Sequence, residues 1–339
     1  MPPTFDAVLT TPDLVRCVTA FQHGEFHDMQ PFRHLKKPSH PSSFVTKPSR
    51  SIEMYHVLLS PWLHEYGTKR LALLFQYHPH MQDIVVLHAV IFGHLPSLEY
   101  MTKHYAELVW TFPEPLLDVA ASHNQLHILQ FLHDTDHPGC TVGAMNWAAN
   151  RGHLGIVTFL HAHRSEGGTT KAMDMAAMNG HLDVVKFLHC HRKEGCSTDA
   201  MTEAAWNGHL SVVKYLHAHR TEGCSRWTMD RAAWNGHLEV VKFLHTERRE
   251  AWTSQAMDMA AWNGHLKVIQ YLHAIPASAG CTPNALHFAA MNGHLEVVKF
   301  ITDTRIEGDL HMAIATATQM GQSDIVKYLE SKQRRRFKV

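Results

Sequence analysis

Neither sign of charge dominates this chain: lysine plus arginine and aspartate plus glutamate number 31 each among 339 residues. Global attraction to nucleic acid or to an anionic membrane surface is therefore excluded, and any electrostatic role has to be local. Long apolar runs are missing as well. Nowhere does an apolar run approach the ~18 residues of a membrane-spanning helix, and the first residues, MPPTFDAVLTTPDLVR, lack a basic region followed by an apolar stretch. The sequence reads as soluble, unexported, and cytoplasmic or nuclear, with no membrane partner. Cys-x-x-Cys pairs, glycine-rich phosphate loops between a strand and a helix, and motif-marked serine or cysteine nucleophiles are absent, which argues against an enzyme and against a cofactor. Cysteine is sparse, at Cys17, Cys140, Cys190, Cys196, Cys224 and Cys281, and four of these follow a glycine and precede serine or threonine. Equivalent residues on stacked helical units lie roughly 8–10 Å apart, beyond the ~7 Å Cα limit of a disulfide, so reduced thiols are expected.

Histidine is plentiful instead, with 31 copies. Those that follow a glycine reveal the organisation of the chain. His153, His181, His209, His237, His265 and His294, followed by Gln322, recur at a constant step that only once lengthens, by a single position between His265 and His294. Gln125 and His94 continue the series backwards, giving nine units from about residue 82 to 331. A degenerate tenth unit is expected within residues 51–81, and a basic tail over 332–339, with Arg334, Arg335, Arg336 and Lys338. Ahead of the array, residues 1–50 read as a capping helix over Asp13–Gln30 followed by a Pro/Ser/Lys-rich linker.

Each unit divides into two short helices. Thr141, Thr169, Ser197, Ser225, Thr253 and Thr282 stand where an N-cap oxygen satisfies an orphaned backbone N–H, worth about 1 kcal/mol per helix. The first helix stops at an Asn-Gly pair such as Asn207-Gly208, and the second, for example HLEVVKFLH from His237, carries an apolar face of Leu238, Val241 and Leu244. TPNALHFAAMNGHLEVVKFI, Thr282–Ile301, resembles the ankyrin repeat, whose consensus runs Thr-Pro-Leu-His-x-Ala-Ala and then Gly-His before a Leu/Val-rich helix. The resemblance covers about three-quarters of the chain and implies an all-α, ankyrin-like helical solenoid of nine to ten units. One departure is the period, roughly 28 residues against the usual ~33, which leaves little room for a projecting hairpin and predicts short loops.

On the first helices, pairs such as Ala204 and Ala205 with Met201 form the core side. The opposite side carries positions spaced i, i+3, i+4 and i+7, and these vary from unit to unit while the core positions persist. In ankyrin arrays this surface lines the concave side, which implies a non-enzymatic scaffold that binds a partner protein or peptide there. The expected contact residues are Trp147, Met175, Met178, Glu203, Trp206, Trp227, Asp230, Arg231, Trp234, Asp258, Met259, Trp262, His287, Phe288 and Met291. Aromatic and methionine side chains suit a buried interface, and the carboxylates Asp174, Asp199, Glu203, Asp230 and Asp258 favour a basic partner. Two readings of the tryptophans stand side by side: packing over the neighbouring helix, or an offered apolar stripe. Self-association through two such faces is the alternative function.

A metal centre is the other use for so many imidazoles, with His161, His163, His189, His191, His217 and His219 as candidates. Residues two apart on a helix diverge by about 200°, which disfavours a shared ion. The Gly-His histidines are expected to bond backbone in the adjacent unit. The lysine ladder Lys186, Lys214, Lys242 and Lys299 lacks aromatic interleaving, so specific nucleic-acid binding is not expected.

Overall fold

Helices of about ten residues are marginal alone in water and depend on a packed face. In most repeats an alanine pair on the first helix and a pair of Val, Ile or Leu on the second supply that face, and stacking joins one repeat's face to the next. The computed structural model describes residues 21–22, 25–36, 50–275, 280–304 and 309–336. Contacts divide it into two units, Met1–Ala148 with Gly155–Gly168, and Ala149–Leu154 with Thr169–Val339.

In the first unit, β1 (Phe21–Gln22) pairs antiparallel with β2 (Glu25–Phe26), and a 3-10 helix covers His27–Phe32. The single helix expected over Asp13–Gln30 is not formed in its described part; residues 13–20 and 23–24 lie outside the described residues, as does most of the expected linker. Pro31 is one reason an α-helix gives way here, because it removes a backbone donor. Asp28 braces this segment. It accepts a hydrogen bond from Trp62 Nε1 at 2.9 Å and pairs with Arg70 at 2.9 Å, while the Arg70 guanidinium lies 4.9 Å over both the Phe26 and Tyr66 rings. The segment expected as a degenerate repeat begins with α1 (Arg50–Tyr66), far longer than a repeat helix, followed by α2 (Leu71–Tyr77). Then come α3 (Met81–Phe92), α4 (Leu95–His104), α5 (Ala106–Trp110), α6 (Leu116–Ser122), α7 (Leu126–Asp134), α8 (Val142–Asn150) and α9 (Leu154–His163).

His88, on α3, is 3% exposed. Its Nε2 shares a 3.2 Å hydrogen bond with His56 Nδ1, the two rings stack at 5.4 Å, and Phe92 stacks on His56 at 4.0 Å. Burial first, and then the neighbouring His56 and His94, push the His88 pKa down to about 3. An unfolded histidine titrates near 6.5, so below that pH the unfolded chain takes up a proton that the folded one refuses. Stability contributed by neutral His88 is therefore complete above about pH 6.5 and is lost as pH falls toward 3. Urea unfolding from pH 7.5 to 4.5 should show a shallower acid loss for His88→Phe than for the wild type. Identical pH profiles would contradict this placement.

The second unit is the more regular. Its helices are α10 (Thr170–Met178), α11 (Leu182–His191), α12 (Thr198–Trp206), α13 (Leu210–His219), α14 (Thr228–Trp234), α15 (Leu238–Thr246), α16 (Ser254–Trp262), α17 (Leu266–Ala274), α18 (Asn284–Met291), α19 (Leu295–Asp303), α20 (Leu310–Gln319) and α21 (Ser323–Arg336). Each first helix packs on its own second helix and on the first helix of the next repeat. Across the two units nine helix pairs occur among the described residues; α5 stands between the first pair and the second, and the loops described in full between the later pairs are short and hold no strand. The alanine pairs, from Ala176-Ala177 to Ala289-Ala290, are fully buried. The expected basic tail is helical through Arg336, and Lys332 pairs with Asp303 of α19; Lys338 lies outside the described residues.

The Gly-His step explains its own recurrence. Gly208 has φ +79° and ends α12, and the Nδ1 of the next repeat's His237 would lie 2.5 Å from a Cβ added there. The glycine thus reverses the chain and provides the flat seat for the following imidazole. The ring nitrogen bonds carbonyls at the end of the preceding first helix: His181 Nε2 to the Asn150 oxygen at 3.1 Å, and His294 Nε2 to Trp262 at 2.9 Å. Gly208→Ala is expected to cost more than about 1 kcal/mol, from left-handed strain together with the displaced ring. A denaturation midpoint equal to wild type would refute the seat.

Candidate functional site

The variable positions of the first helices sort by direction. With 3.6 residues per turn, the i and i+7 positions of one helix point almost the same way, i+4 leans to one side of them, and i+3 leans furthest, to the other side. The i+3 residue is therefore the one turned toward the next repeat. Asp230 and Asp258 hold that position and are only 6% and 4% exposed. They do not belong to an open face, contrary to their expected role.

Both carboxylates grip the next repeat's cap. Asp230 accepts from Thr253 N and Oγ1 at 3.0 and 2.7 Å, and Asp258 from Thr282 N and Oγ1 at 2.9 and 2.6 Å. Asp174 does the same for Ser197 at 2.8 and 2.9 Å, and in the first unit Asp118 holds Thr141. The capping hydroxyls meanwhile accept from the first turn of their own helix, as Ser197 does from Asp199 N and Thr253 from Gln255 N. Each N-cap is thus a latch between repeats. Burial raises the pKa of Asp174, Asp230 and Asp258, opposed by the bonds from Ser197, Thr253 and Thr282, and burial pushes Asp118 up to about 6. With these carboxylates turned inward, the acidity that favoured a basic partner shrinks to Asp199 and Glu203, and Glu203 is itself paired with Arg231 at 2.8 Å.

The remaining positions do reach the surface. Trp227, Trp234 and Trp262 are 37%, 40% and 37% exposed. Trp206 is half-buried and meets Trp234 edge-on at 5.4 Å, with Arg231 stacked over it at 5.4 Å. Trp262 meets Phe288 edge-on at 4.9 Å, and Arg226 covers Trp227 at 4.5 Å. Trp227 immediately precedes α14. Asn235 and Asn263 donate to the carbonyls of Trp206 and Trp234 at 2.8 and 2.9 Å, tying each tryptophan's backbone to the following turn. Met175, Met178, Met259, His287 and Met291 are half-buried along the same series, and His287 Nδ1 bonds the Thr316 hydroxyl at 3.1 Å. Trp147 lies on the part of α8 that belongs to the first unit and is half-buried there. The two readings of the tryptophan merge: Trp206 touches Trp234 and Trp262 touches Phe288, while Trp227, Trp234 and Trp262 stay more than one-third exposed.

Two further patterns have no signal in the helical periodicity. Arg164–Glu166, Arg192–Glu194, Arg220–Glu222 and Arg248–Glu250 clip the loops after α9, α11, α13 and α15. Histidines on the second helices interlock with the next repeat's aromatic: His189 with Tyr215, His217 with Phe243, His245 with Tyr271 and His273 with Phe300, all edge-on at 5.4–6.1 Å. His191 and His219 stack on Phe187 and Tyr215 one turn back and bond their carbonyls at 2.9 Å. Among the described residues, no group of three or more His, Cys, Asp and Glu is placed to hold a metal ion. Burial pushes the thiols of Cys140, Cys196 and Cys281 up to about 12, 11 and 11, far from nucleophilic range.

Comparison with known proteins agrees with this architecture. Family models of ankyrin repeats match residues 173–217 (many copies) and 257–335 (3 copies). The chain carries ankyrin repeats. The ankyrin repeat domain of human ASB11, known from a crystal structure, is similar at 17% identity over 55% of this chain and 95% of that one, with a TM-score of 0.44. No curated protein matches the sequence. Within the ankyrin array, the matched segments hold α10–α13 and α16–α21 almost entirely, and the tryptophan-bearing α14 lies between them.

Proposed function

We propose that the ankyrin array is a non-enzymatic scaffold that binds a partner protein on its first-helix surface, centred on Trp206, Trp227, Trp234 and Trp262. The observation that carries this reading is the set of three tryptophans more than one-third exposed, on or immediately before helices whose opposite sides are fully buried. Ankyrin repeats generally mediate protein–protein interaction, which supports the class of function. Tryptophan and arginine dominate interface hot spots, and here both sit on a frame already fixed by caps and alanine contacts, so little ordering entropy is lost on binding. The partner is not required to be basic, because three of the five carboxylates that suggested it serve the latches.

Affinity capture from source extract tests this reading. The wild-type chain should retain a partner that the Trp206/Trp234/Trp262→Ala variant, folded by circular dichroism, releases. Equal recovery on both would overturn it. Light scattering on the purified chain checks self-association in the same experiment: a stable dimer that dissociates on Trp234→Ala would make a second copy the occupant.

A further inference from the structure

The same surface has a charge order that narrows its ligand. Along successive first helices, α12 exposes Asp199 and half-exposes Glu203, which pairs with the exposed Arg231 of α14 at 2.8 Å, and Arg226 is exposed just before α14, so Asp199 and Arg226 carry the charge order. On α16 the outward residues are Gln255, Met259 and Trp262, with Asp258 buried, and on α18 they are Asn284, His287, Phe288 and Met291. The order is acidic, basic, uncharged, uncharged, one step per repeat, and Met259, Trp262, Phe288 and Met291 supply the apolar surface of the last two steps. We propose that the ligand of this surface is an extended, proline-containing peptide segment that crosses the helices with a basic residue over α12, an acidic residue over α14, and proline or aliphatic residues over α16 and α18. This rests on the scaffold reading above and specifies the partner's chemistry.

Spacing supports the extended form. Packed helices lie roughly 8–10 Å apart, and a polyproline II strand advances about 9 Å in three residues. Every third side chain therefore meets a new repeat. The open parts of the indoles also suit small flat rings: Trp206 is covered by Trp234 and Arg231, and Trp262 by Phe288, leaving partial faces on which a pyrrolidine can lie. Arg226, stacked on Trp227, presents its guanidinium beside that track, ready for a carboxylate.

Selection from a displayed library of random dodecapeptides on the wild-type chain, counter-selected on the Trp206/Trp234/Trp262→Ala variant, tests the proposal. Enriched peptides should carry proline or aliphatic residues at three-residue spacing, with an acidic residue three positions from a basic one. On Arg226→Glu, an exposed substitution, acidic peptides should weaken at least tenfold in fluorescence anisotropy, and the same peptides with lysine in place of the acid should recover. Enrichment at helical spacings of three, four and seven, absence of a charge register, or no enrichment at all would overturn the extended-ligand proposal. If a protein captured from extract still depends on the tryptophans in any of those cases, the scaffold reading stands without it.

Discussion

Replacing Asp258 with alanine is expected to destabilise the array by about 2–3 kcal/mol, while Asp258→Asn retains most of the stability. The side chain is buried and accepts two hydrogen bonds from Thr282, at the start of the next repeat's first helix. Alanine leaves the Thr282 N–H and hydroxyl without that partner, and the desolvation cost of each is larger than the net gain of an ordinary hydrogen bond. Asparagine keeps one acceptor and can turn its amide toward the hydroxyl. The position takes other side chains in this chain: buried Asn146 occupies it in one repeat, and Thr202 in another, where it accepts from Ser225 N at 3.0 Å. In a stacked array the loss acts on one interface between neighbouring repeats, so urea unfolding should become less cooperative as well as earlier. An alanine variant indistinguishable from wild type, within the about 0.5 kcal/mol scatter of surface substitutions, would show that the latch contributes nothing.

Changing Trp206, Trp234 and Trp262 together to alanine is expected to weaken partner binding at least about a hundredfold, since each hot-spot truncation costs about 2 kcal/mol or more. Stability should also fall, because Trp206 meets Trp234 and Trp262 meets Phe288, but the alanine pairs and latches beneath them are untouched. The two observables therefore separate. Binding measured on protein shown to be folded at the same temperature distinguishes a lost interface from a lost fold.

The sequence exposes the frame and hides the joints. Two periods are legible in it, the constant step between Gly-His pairs and the i, i+4 spacing of Ala200 and Ala204. Together they locate nine helix pairs, because a duplicated unit repeats every contact it needs. Helical periodicity misplaces Asp230 and Asp258 for a geometric reason. A helix in the middle of a stack has three packed directions, toward its own second helix and toward the first helices on either side. A wheel with one core direction sends the lateral residues to the solvent. The Arg–Glu clips and the histidine–aromatic contacts leave no trace in that periodicity, because their partners stand side by side in a loop or on the second helix of the next repeat, where no helical pattern points. The tryptophans are legible as variable positions on a constant frame. Their edge-on pairing is not, since it depends on ring orientation across repeats.

Photo-crosslinking tests the central claim most directly. With a photoreactive phenylalanine placed at Trp234 or Trp262, and in separate proteins at Lys186 or Lys299 on the second helices, irradiation in native extract should give partner adducts from the first pair alone. Adducts confined to the second-helix positions would contradict the assignment of the tryptophan surface as the binding face.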